Sequence, residues 1–354
     1  MKRAAGVVVY RMRDGVDAID QYSRHLVAAL DAHGVEVEYV DGGSAQARPV
    51  ARDAGFVLLQ YQPFSYGRWG VAPGLVRDIH AWRRLGVPLA IMIHEAWMPM
   101  EGVRWTLMGL YQRAQLKALM RIADTLMTST QLLADTIGHG AVAIPVGSNI
   151  TPLVTTSGAA RRELSLDDRL VVSLFGRGHP GRALDYAEAA VAAIAGAVDR
   201  PLTVLNLGVG APPIAVPTGV ELLSPGWLTD DQLSVHLWAS DLVLLPFVDG
   251  LSTRRTTLMA ALDHRRCVLG LEGAHTDGIL TADPPAVGLT PVGDIARFAE
   301  MAVTLASDDE RRAHLAAAGA ALYANEFSWP VIAERVAARL ATVVPELAAE
   351  AVHA

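Results

Sequence analysis

The sequence predicts an α/β protein built from two tandem, doubly wound parallel-sheet domains. Three observations carry this. Short β-rich apolar runs alternate with longer amphipathic segments along most of the 354 residues. The alternation pauses once, around Ser148–Asp168, where Pro152, Thr155, Thr156, Ser157 and Gly158 precede a charged stretch that reads as a linker. It then restarts with the same rhythm and runs to a last helical segment.

In the first domain, expected at 1–152, the strands are Gly6–Tyr10, Val35–Tyr39, Phe56–Gln60, Leu89–Ile93, Thr125–Thr128 and Val142–Ile144. Helical periodicity covers Ile19–His33, Leu75–Leu85 and Val103–Ala123. In the second, expected at 165–328, strands Leu170–Phe175, Leu202–Leu207, Leu242–Leu245 and Cys267–Leu271 alternate with helices Ala183–Ala197, Asp230–Ala239 and Thr253–His264. A final helix is expected from Trp329 to about Leu347, with Ser328 as its cap and Pro330 in its first turn. The tail 329–354 is expected to return to the first domain.

Composition narrows the function. Hydrophobic residues make up 51% and charged residues 19%, which suits packed cores. A net charge of -7 argues against a general nucleic-acid binder. Cys267 is the single cysteine, so no internal disulfide can form and a reducing, cytoplasmic setting is expected. Lys2 and Lys117 are the only lysines; the arginine and alanine bias suggests a GC-rich bacterial genome. No apolar stretch approaches the ~20 residues of a membrane helix.

Ligands of open α/β sheets bind beyond the carboxyl ends of the strands. Three such segments stand out. Gly176-Arg177-Gly178-His179-Pro180-Gly181-Arg182 follows a strand; its glycines permit close approach and its arginines can clamp phosphate. An ordinary glycine-rich turn is the alternative. Pro246 to Thr257 follows another strand, with Ser252 or Thr253 as a natural helix cap and Arg254-Arg255 beside it, which suits an anion. A well-capped helix with surface arginines would look the same. Ile93-His94-Glu95 places a histidine at a strand end, where it could meet a sugar hydroxyl or simply be satisfied by backbone.

Several chemistries lack their signatures. The residues after the first strand, Arg11 to Asp17, carry no dinucleotide fingerprint. Walker A, H-E-x-x-H and G-x-S-x-G motifs are absent, as is an Asp-x-Asp triplet for a divalent cation. No metal and no resident cofactor are expected.

Taken together, these segments resemble the GT-B glycosyltransferases of family 4, whose two Rossmann-like domains face a cleft. The likeness runs through Tyr22-Ser23, Ile93-His94-Glu95, Ile144 to Asn149, Gly176-Arg177 with Arg182, Gly226-Trp227, Ser240-Asp241-Leu242 and Phe327-Ser328-Trp329. The resemblance implies retaining, metal-independent transfer of a sugar from a UDP, GDP or dTDP donor to a hydroxyl. It implies that His94 and Asp249 hold the sugar. Gly176, Arg177, Arg182, Leu251, Ser252 and Thr253 would bind the diphosphate, and Trp227 and Thr257 the nucleoside. The acceptor is expected near Gly15, Val16, Tyr61, Gln62 and Trp97. The family often carries two glutamates eight positions apart at the donor; here Asp249 and Thr257 stand there. A non-catalytic sugar-nucleotide-binding partner protein and a sugar-nucleotide epimerase remain alternatives.

One segment points elsewhere. Val103–Ala123 carries Arg113, Lys117 and Arg121 at four-residue spacing beside Trp105, Leu107, Met108 and Leu110. A packed amphipathic helix is expected, with membrane contact disfavoured by the net negative charge.

Overall fold

The computed structural model describes residues 6–11, 17–41, 54–98, 100, 102–178 and 181–350. The chain divides into two compact units: residues 1–146 with 329–354, and residues 147–328.

The first unit holds a six-stranded parallel sheet of β1 (Gly6–Tyr10), β2 (Val37–Asp41), β3 (Phe56–Tyr61), β4 (Leu89–Ile93), β5 (Thr125–Thr128) and β6 (Val142–Ala143). Its strand order is β2-β1-β3-β4-β5-β6. Strands β1, β3 and β4 are buried at every position, as a parallel sheet covered by helices on both faces requires. Val57, Leu59 and Tyr61 point with Ile91 and Ile93 into one core cluster, alongside Trp82 and Leu116 from flanking helices. The returning helix, Trp329–Ala341, sets the Trp329 indole 5.2 Å from the His25 ring and 5.4 Å from Tyr22, centroid to centroid. It is shorter than expected and gives way to a second helix, Pro345–Glu350, because proline cannot continue the first.

The second unit holds β7 (Leu170–Phe175), β8 (Leu202–Leu207), β9 (Glu221–Leu223), β10 (Leu242–Leu245), β11 (Cys267–Glu272) and β12 (Gly288–Pro291). All neighbours are parallel, in the order β12-β11-β10-β7-β8-β9. The chain therefore starts in the middle at β7, winds outward through β8 and β9, then crosses to β10 and winds the other way. This is the six-stranded order of dinucleotide-binding folds, and its switch point lies between β7 and β10. Strands β9 and β12, and helices Ile295–Ser307 and Asp309–Leu322, lie outside the sequence expectations. The stretch that reads as a linker contains a helix, Ser157–Glu163, whose first turn Thr156 caps through the Ala159 N–H. Arg161 of that helix reaches Asp241 at 2.5 Å, tying the segment to the foot of β10.

Candidate functional site

The loops on either side of the second unit's switch point are stitched together. Arg182 and Phe247 form an isolated antiparallel bridge. The Ala183 N–H donates to Pro246 O at 3.0 Å, and the Val248 N–H to Gly181 O at 2.9 Å. The β8 loop joins them: a Cβ on Gly208, whose φ is +133°, would come within 2.6 Å of Gly176 O. Three carboxyl-edge loops thus meet at backbone distance, as a phosphate cradle needs.

Arg182 lies beneath this junction with 8% of its surface exposed. Its Nη1 donates to Gly176 O at 2.9 Å, while its Nη2 is buried without a hydrogen-bond partner. Burial pulls its pKa below the usual arginine value. A buried guanidinium with no carboxylate paired to it among the described residues is costly unless an anion arrives. Arg177, from the same loop, is exposed. The two arginines look alike in sequence, yet only Arg182 is desolvated.

The Asp249–Thr257 segment departs from expectation. Its helix begins at Thr256, not Thr253, and the residue before it, Arg255, makes no side-chain cap. The reason is Asp277, 24 residues downstream. Its Oδ2 accepts from both the Thr253 N–H at 2.6 Å and the Thr253 hydroxyl at 2.9 Å. The Leu251 N–H is spent on Leu271 O at 2.7 Å, and the Leu251 side chain is buried. Leu251 and Thr253 therefore do not offer the free anion-binding groups the sequence suggested. The Ser252 hydroxyl is buried and has no hydrogen-bond partner among the described residues. Thr257 stands beside the glycine loop, its Cγ2 3.2 Å from where a Cβ on Gly176 would be.

Asp249 is the hub of an ion cluster. Its carboxylate accepts from Arg254 at 2.8 Å, from Arg255 at 2.8 and 2.9 Å, and lies 3.2 Å from His275 Nδ1. Burial works to raise its pKa, but Arg255, the His275 hydrogen bond and Arg254 outweigh it and hold the carboxyl below its usual range. The Arg255 guanidinium also lies 4.0 Å over the Phe247 ring. Gly250 makes the turn possible: at φ +95°, a Cβ there would strike Thr276 Oγ1 at 2.4 Å and Gly273 N at 2.6 Å. Asp249 and the two arginines were legible in the sequence; His275 and Asp277 were not, because no local pattern joins them to the segment. Trp227, after β9, is 65% exposed.

In the first unit, His94 follows β4. Its Nε2 donates to Gln60 Oε1 at 2.8 Å, and its ring meets Tyr22 edge-on at 5.0 Å. Burial drives its pKa down to about 3, so it is neutral at ordinary pH. The Tyr22 hydroxyl and Gln60 Nε2 are buried nearby without hydrogen-bond partners among the described residues. Tyr61 does not line this edge. It is fully buried, stacked on Tyr66 and hydrogen-bonded by Gln115 at 3.2 Å, because β3 turns that side chain into the core. Gln62 bonds Ser65 and Glu95, and Trp97 lies half-buried under Arg113 at 5.1 Å. Gly15 and Val16 lie outside the described residues. Among the described residues, no group of three or more His, Cys, Asp or Glu is placed to hold a metal.

No protein-family model and no curated protein matches this sequence. Solved structures do. HepE of Anabaena in complex with UDP-glucose matches with a TM-score of 0.67 at 15% identity, over 95% of this chain and 99% of that one. Sucrose-phosphate synthase from Thermosynechococcus elongatus matches at 0.64 and 14%, over 94% and 97%. A putative UDP-N-acetylglucosamine 2-epimerase from Listeria monocytogenes matches at 0.60 and 12%, over 96% of each. At such identities the likeness is one of fold, and the two six-stranded parallel sheets are those of the GT-B glycosyltransferase architecture.

Proposed function

We propose that this chain is a retaining glycosyltransferase that takes a sugar from a nucleotide donor and gives it to a hydroxyl acceptor. The observation that carries the reading is Arg182, a buried guanidinium with an unpartnered Nη2 at the sheet's switch point. A nucleoside diphosphate supplies the missing anion. Arg182, Arg177 and the Ser252 hydroxyl would bind its phosphates, beside Gly176. Trp227 and Thr257 are proposed for the nucleoside.

In the reaction, the bond from the anomeric carbon to the diphosphate oxygen breaks. The acceptor oxygen bonds that carbon from the same face, and its proton passes to the departing phosphate. The protein's part is to position the donor and to stabilise the charge gathering on the diphosphate. Desolvated donors such as Arg182 do this best, since they need no reorganisation as charge develops. Neutral His94 is proposed as a partner for a sugar hydroxyl. Asp249 is proposed to reach the sugar only after releasing one of its arginines. Arginine, rather than a divalent cation, is proposed to neutralise the diphosphate.

A UDP donor is favoured because the matched HepE structure holds UDP-glucose. Calorimetry with UDP, GDP and dTDP, with and without EDTA, tests the reading, and binding to none of the three would sink it. An epimer formed from a UDP-sugar alone, seen by NMR, would replace transfer with epimerisation.

A further inference from the structure

The helix Val103–Ile122 was expected to pack its apolar residues inward; only part of it does. Met108, Gln112, Gln115, Leu116 and Leu119 are buried. Val103 is 81% exposed, Leu107 66%, and Leu110 and Trp105 also lie open. Val103, Leu107 and Leu110 recur at four- and three-residue spacing, so they form one outward stripe. Further along the same helix, Lys117 and Arg121 are exposed in their turn.

A neighbouring loop extends this surface. Trp69 is 54% exposed and sits at φ +60°, a region bulky side chains avoid. Side chains of the helix hold it there. Gln112 Nε2 donates to Trp69 O at 3.0 Å, and Gln115 Nε2 to Gly70 O at 3.2 Å. Gln115 Oε1 accepts from the Ala72 N–H at 2.8 Å. The guanidinium of Arg104 lies 5.5 Å from the Trp69 ring and 5.6 Å from that of Trp105. Backbone strain spent to hold an indole in water suits a surface that meets something else.

Charge identifies that something. The helix carries Arg104, Arg113, Lys117 and Arg121 and no acidic residue, on a chain whose net charge is -7. The cations are therefore gathered locally against the average of the molecule. Aliphatic side chains, paired indoles under an arginine, and trailing basic residues match the layers of a bilayer surface: acyl chains, the interfacial zone, anionic headgroups. No helix among the described residues is long and apolar enough to cross a membrane, so the contact would be superficial. We propose that this face of the first unit is a docking surface for an anionic lipid bilayer. The proposal is independent of the nucleotide reading.

Sedimentation of the full chain with phosphatidylcholine vesicles, with and without phosphatidylglycerol, tests it. The chain should pellet with the anionic vesicles only, and added salt should release it. Lys117→Ala with Arg121→Ala should weaken partitioning by roughly fivefold per cation removed. Leu107→Glu with Leu110→Glu should abolish pelleting while leaving the thermal melt and UDP titration unchanged. A chain that stays in the supernatant with anionic vesicles would overturn the proposal. So would equal pelleting of wild type and both variants. A wild-type dimer in analytical ultracentrifugation that the Leu107→Glu, Leu110→Glu variant loses, with no vesicle binding by either, would assign the face to a second copy instead.

Discussion

At the carboxyl edge of the first sheet, His94 is neutral and answers Gln60; nearby, Tyr61 is turned inward onto Gln115. At the same edge of the second sheet, Arg182 is buried and charged with half its fork unanswered, and Asp249 draws in two arginines and a histidine. Both edges belong to parallel sheets with similar buried strands, so the sheets do not set the difference. It lies in what burial costs. A neutral group left unpaired loses a hydrogen bond, whereas an unpaired charge loses far more. The second edge thus holds a buried charge that no described residue compensates, whereas His94 and Gln60 at the first are neutral.

The sharpest way to break this contrast is Arg182→Met. It should lower UDP affinity by about tenfold to a hundredfold, the worth of a charged hydrogen bond. The ligand-free melting temperature should hold, because an uncompensated charge has been removed. Calorimetry and a thermal melt read the two effects separately; a fall in both would make Arg182 a structural residue. Next, Gly250→Ala should cost about 2 kcal/mol of stability, from its left-handed backbone and the clash with Thr276 and Gly273. Denaturant unfolding measures it, and an unchanged midpoint would show that the Asp249 turn is not rigidly held.

Acidification separates the edges by another route. The folded pKa of His94 is about 3 against 6.5 unfolded, so the unfolded state binds the extra proton between those values. Stability from neutral His94 is complete above pH 6.5 and is lost as pH falls toward 3. His94→Gln should flatten the decline in that window; a curve as steep as wild type would mean that His94 is solvated. The smallest effect belongs to Thr257→Val. Loss of one neutral hydroxyl bond should weaken UDP binding by ~threefold, and a far larger loss would make Thr257 the main ribose contact.

The fold was legible where burial is uniform. β3, β4, β7 and β8 are buried at every position and mostly apolar because parallel strands are covered on both faces. β9 and β12 escaped because they are short and partly exposed, and so lack that signature. At the site, residue types were readable but their commitments were not. Thr253 looks like a helix cap until Asp277 claims both of its donors from 24 residues away. Tyr61 ends a strand pointing at the ligand edge, yet the pleat places it with Val57 and Leu59 in the core. Arg177 and Arg182 share a loop, and only the fold decides which of them loses its water.

The return of the Trp329–Ala341 helix also bears on how the molecule is made. The second unit is continuous in sequence, from 147 to 328, whereas the first is closed by residues that follow it. During synthesis the second unit can finish folding while the first still lacks the helix that covers Tyr22 and His25. The nascent first unit therefore waits with an open aromatic flank until residues 329–341 have been made. That order leaves its early life, rather than that of the second unit, as the stage with apolar surface uncovered longer.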